Sequence, residues 1–183
     1  MHRIHPTAIV ASDAVVAADV EIGPYAVIGY DFAPARARYY SRPAPQSPRT
    51  PTVLEAGTFV GPHAIVGAGA FIGANTIIEP GCYVGEDSRV LSSGFVRYGA
   101  RIYSCVDIGT DCVIAGFVCN HTKIGDRVAF FGATVHRFAG IRVGQQEPAP
   151  TLEDDVLVGF GAVIIGGVTL PRGTIVKAGS IVK

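Results

Sequence analysis

The sequence lacks net charge and any block of basic residues: Lys+Arg and Asp+Glu both number 15. A nucleic-acid binder needs clustered cations to neutralise phosphates, so this balance argues against that class. Charge is scarce throughout, at 16% of residues, and 56–78 contain no Asp, Glu, Lys or Arg. Gly, Pro, His or Asn nonetheless interrupts that stretch every few positions, which argues against a spanning helix and predicts no membrane span. The N-terminal MHRIHPTAIV has no long apolar run, which predicts no signal peptide and a cytoplasmic location. Cys82, Cys105, Cys112 and Cys119 form no CxxC pair, and a reducing compartment leaves them as thiols. His2, His5 and His63 have no partners at metal-ligand spacing, so no metal is expected.

What the sequence does contain is a period. An aliphatic residue recurs every six positions at Ile4, Val10, Val16, Ile22 and Ile28, then from Leu54 through Val60 and onward to Ile114, and again from Leu152 to Val182. All 22 positions of these three runs are Ile, Leu or Val. Four residues after the aliphatic the side chain is usually small, as at Ala8, Ala64, Ala70, Cys82, Ala100, Cys112 and Ala162. The residue directly after it is often Gly, as at Gly23, Gly73, Gly85 and Gly159.

A period of six suits neither a helix nor a freely alternating strand. Short flat strands joined by tight corners can use it. Each hexad then forms one side of a triangular prism, its aliphatic and small residues point inward, and Gly, Asn or Asp serves the corners. Three hexads close a coil of 18 residues, which predicts a single all-β solenoid domain over 1–183 with about eight coils. At roughly 4.8 Å per coil it is about 40 Å long. Two excursions break the frame, near 34–53 and 142–151. The frame also slips between Ile114 and Val118, either by a side shortened by two residues or by an insertion of four; the new phase runs Val118, Ile124, Phe130, His136.

The pattern resembles the hexapeptide-repeat acyltransferase family, and the resemblance covers almost the whole chain. It implies a left-handed parallel β-helix, and it implies homotrimers that move an acyl group from acyl-CoA, with acetyl-CoA as co-substrate and no permanently bound cofactor. Such enzymes use a groove between subunits and a His as general base, because the attacking group must lose a proton as it bonds to the thioester carbon. The segment Val118-Cys119-Asn120-His121-Thr122-Lys123-Ile124-Gly125 is similar to the stretch preceding Ile-Gly in the nucleotide-sugar N-acyltransferase branch. The implied catalytic residues are His121 and His136, with Asn120 and Arg137 contacting substrate. If the aliphatic frame holds, Val118 and His136 lie one coil apart on the same side. The alternative for His121 is a solvent-facing corner residue; for His136 it is a cap where the chain leaves the prism.

The first excursion carries Arg36, Arg38, Tyr39 and Tyr40, with no acid between Asp31 and Glu55. Arg forks suit a pyrophosphate and Tyr rings a base or sugar, so a nucleotide-linked amino sugar is the expected acceptor; a surface loop or trimer contact is the alternative. His136-Arg137-Phe138-Ala139 departs from the Thr-Asn-Asp-x-x-Pro-Arg-like run of that branch. A non-catalytic scaffold therefore stays open, as does a γ-type carbonic anhydrase, though the 15-residue gap between His121 and His136 fits its zinc ligands poorly. Glu153, Asp154 and Asp155 read as corner residues, and Cys82 and Cys112 as core.

Overall fold

The computed structural model describes residues 3–31, 50–137 and 147–183. These hold 26 strands, β1 (Arg3–Ile4) to β26 (Ile181–Val182), nearly all two residues long, and no helix. None of the described elements is a helix long and apolar enough to cross a membrane. Every third strand pairs in parallel, giving three sheets of nine, nine and eight strands. The architecture is a left-handed parallel β-helix of eight full coils plus two sides. We call the faces I, II and III after the sheets that begin with β1, β2 and β3.

The hexad explains the core. From Ile22 to Val176 nearly every frame aliphatic is buried, and each loses contact with water through its own coil and the two beside it. The small positions are buried as expected, with Ala64, Ala70, Cys82, Ala100, Cys112 and Ala162 at 0–1% exposure. Burial pushes the thiol of Cys82 up and that of Cys112 up to about 11, so both remain protonated. At the first coil the same frame has no neighbour on one side, and Ile4 is 40% exposed.

Corners need a left-handed residue at one fixed position. Among the described residues ten non-glycines adopt it, including Asn75, Asp87, Cys105, Asp111 and His121. Backbone N–H groups there donate to the carbonyl one coil back, as Cys105 N does to Glu86 O at 2.9 Å.

The frame slip resolves as a shortened side. β16 (Val113–Ile114) runs into β17 (Phe117–Val118) through Ala115-Gly116 alone, and Ile102 pairs with Val118, so this coil has 16 residues. The shortening occurs again one coil later, where β19 (Ala129–Phe130) meets β20 (Ala133–Val135) through Phe131-Gly132. This corrects the expected frame: Thr134, paired with Ile164, takes the inward place opposite Val118, and His136 lies two residues beyond it. A polar residue fits inside because Thr134 Oγ1 accepts a 2.9 Å bond from Cys119 N and lies 3.2 Å from Thr122 Oγ1.

Candidate functional site

Both excursions leave the same edge of the prism. The first departs after β5 (Val27–Tyr30) on face II and returns at β6 (Val53–Leu54) on face III; the second departs after β20 and returns at β21 (Thr151–Leu152) on face III. Edge II–III also bears Asn120, His121, His136 and Arg137, which the sequence had singled out. Arg36, Arg38, Tyr39 and Tyr40 lie outside the described residues. The bases of the two excursions are five coils apart, about 24 Å along the axis.

His121 occupies the left-handed corner position, with φ 63°, and its N–H donates to Ser104 O at 3.3 Å. The corner conformation points its side chain outward, where it lines an open cleft of about 470 Å³ with Lys123, Glu147, Pro148, Ala149 and Thr151. Beside it, Asn120 accepts a 3.1 Å bond from Ser104 N through Oδ1. That bond fixes the orientation of the amide and leaves the Nδ2 donors for another acceptor.

His136 lies one coil on, at the point where the chain leaves the prism. Its half-buried ring is a wall of two clefts. One, of about 350 Å³, it shares with Tyr103, Phe117, Cys119, Asn120 and Val135. The other, of about 470 Å³, also includes Arg137, Ile165, Gly166, Gly167 and Lys183. His136 Nδ1 is buried and has no hydrogen-bond partner among the described residues, a costly state for a polar atom. Gly166 is what lets the excursion close here: a Cβ on it would strike Pro148 O and lie 2.6 Å from Arg137 N.

The edge thus brings Asn120, His121, His136 and Arg137 within two neighbouring coils. It does not include the three acids that follow Leu152. Glu153, Asp154 and Asp155 sit on edge III–I, where they accept from Arg172 N, Asp126 N and the Arg127 guanidinium at 2.6–3.0 Å. His63 is on edge I–II, stacked on Tyr25 with ring centroids 5.1 Å apart. Among the described residues, no three His, Cys, Asp or Glu side chains are gathered as a metal ion requires.

The hydroxyl pair Thr122–Thr134 beneath the corner and the aromatic walls Tyr103 and Phe117 were not anticipated. A signal for the first existed: Ile114-Ala115-Gly116 is echoed 16 residues later by Phe130-Phe131-Gly132.

A family model described as the hexapeptide repeat of succinyl-transferase matches residues 63–92 and 151–183. The two matched stretches are hexapeptide repeats. A serine acetyltransferase of Bacillus licheniformis is 35% identical over 86 residues, which is 47% of this chain and 36% of that protein. The chain therefore spans about a third of the length of the curated relative it matches. Among solved structures, LpxA of Acinetobacter baumannii superposes with a TM-score of 0.58 at 19% identity, covering 96% of this chain and 70% of that one. A UDP-N-acetylglucosamine O-acyltransferase of Moraxella catarrhalis gives 0.52 at 16% identity, covering 98% and 66%. At these identities the likeness shows the shared solenoid.

Proposed function

We propose that the chain is an acyltransferase that moves a short acyl group from acyl-CoA to an amino group, with a nucleotide-linked sugar as acceptor. The observation that carries this reading is the ring of His136, which walls two adjacent clefts. One cleft would hold the donor's acyl group and the other, with Arg137 at its rim, the phosphate-bearing acceptor. The names of the similar proteins support the reaction class: a serine acetyltransferase and two acyltransferases of the same solenoid.

In this reading the imidazole takes the proton of the acceptor amine as its nitrogen bonds to the thioester carbonyl carbon. The carbonyl oxygen becomes an oxyanion, to which Asn120 Nδ2 would donate. Collapse expels the CoA thiolate, which takes up a proton as the amide forms. His121, one coil back, contacts the substrate near Lys123.

A homotrimer is part of the proposal. After the ion-paired Arg3 and Glu21, face I presents Phe59, Ile77, Phe95, Val113, Leu157 and Ile175 outward, whereas face III presents Arg89, Asp107, Lys123, Thr151 and Thr169 over its second half. An apolar stripe of this kind is a packing surface for a second copy of the chain.

The test is CoA release with acetyl-, butyryl- and hexanoyl-CoA and amino-sugar nucleotides. His136→Gln should lower kcat about 10²–10⁴-fold, the usual contribution of a general base, with the melting temperature unchanged. His121→Ala should raise KM more than it lowers kcat. Unchanged turnover in both variants, or no turnover in the parent protein, would reject the reading.

A further inference from the structure

The 350 Å³ cleft beside His136 differs in character from its neighbours. Its body is apolar, formed by Tyr103, Phe117, Cys119 and Val135, and its polar groups are Asn120 and His136. Among the described residues no cation lines it, whereas Arg137 and Lys183 line the cleft on the other side of the imidazole. The Tyr103 and Phe117 rings are tilted against each other with centroids 4.9 Å apart, and Tyr83 meets Tyr103 edge-on at 6.0 Å. Both cleft rings stay substantially exposed, at 40% and 38%.

A ligand that fits this cleft has an apolar body and one polar head. The rings would cover the body, and the amide nitrogen of Asn120 and the accessible edge of the His136 imidazole would meet the head. Phosphates and sugars lack the apolar body. An acetyl group has the right head but fills little of the space, since one water takes about 30 Å³.

We infer that the cleft binds the acyl portion of a thioester donor and selects a chain of several carbons over acetyl. The inference rests on the acyltransferase reading and narrows its donor class. The donor's thioester arm could come from CoA or from a carrier protein's phosphopantetheine, and the chain-length preference is common to both.

The test is equilibrium binding of CoA and of acetyl-, butyryl-, hexanoyl- and octanoyl-CoA, alongside the matching acyl-pantetheines. Affinity should rise from acetyl to hexanoyl, by roughly fourfold for each methylene fully buried. Phe117→Ala should flatten the series, and Val135→Phe should abolish the gain by filling the cleft, while both variants bind CoA itself as the parent does. If acyl-CoAs bind more tightly than the matching acyl-pantetheines, the source is CoA; if the two bind equally, it is a carrier protein. CoA binding that is indifferent to chain length, or weakened by it, would overturn the inference and leave the transferase reading intact. Binding of none of these probes would remove both.

Discussion

Edge I–II and edge II–III depart from the hexad in opposite directions. The first loses two residues in each of two successive coils, at Ala115-Gly116 and Phe131-Gly132; the second gains two long excursions. The sides between them hardly change, because each inward aliphatic is packed by its counterparts one coil above and below. Corners touch solvent and so can be cut or extended at little cost to the core. Cutting a corner draws the backbone inward and consumes space. Extending one creates walls, and the unpartnered imidazole nitrogen lies on the extended edge.

The largest expected effect breaks the shortened corner. Gly116 has φ 149°, and a Cβ there would strike Gly132 O. Gly116→Ala should cost about 3 kcal/mol in denaturant unfolding, combining backbone strain and overpacking. A loss below about 1 kcal/mol would mean the cut corner can relax.

Thr134→Val tests how the two edges are joined, since Thr134 follows the cut corner and supports the corner that carries His121. Losing its hydroxyl leaves the buried Cys119 N–H unpaired, which should cost about 1–3 kcal/mol, and Thr134→Ser should restore most of it. Gly161→Ala is the control at a full-length corner on edge I–II. It has φ 71° but open space around the added methyl, so the cost should be about 1 kcal/mol.

The smallest effect concerns edge III–I, which is neither cut nor extended. Hydrogen bonds from Thr110 hold Asp126 below the ordinary carboxyl range, and the Arg127 guanidinium does the same for Asp155. Depressed carboxylates stabilise the fold above their unfolded value, near pH 4, and that contribution is lost as pH falls through the lower folded values. Melting temperature should therefore be flat from pH 7 to about pH 5 and fall below pH 4. Asp155→Asn should reduce that fall slightly and change little at pH 7, because both partners are exposed.

The core was legible because burial acts on side-chain type at a fixed spacing. The run from Leu54 to Ile114 gave the coil length, the inward stripe and the number of coils. His136 was placed wrongly for the same reason: extending the period of six past Phe130 put His136 inward, and only the pairing of Thr134 with Ile164 showed a second shortened side. His121 could be assigned to a corner from its neighbours. Nothing local marked Tyr103 or Phe117 as cleft walls, because an outward aromatic reads the same on a flat face as on a cleft.

By itself the sequence determined a triangular solenoid, since no other packing buries an aliphatic every sixth residue together with a small one four places on. Tertiary structure decided which edge both excursions share and which side chains meet there. Those are contacts between coils, and in a stacked solenoid their register depends on how many residues each intervening corner consumes.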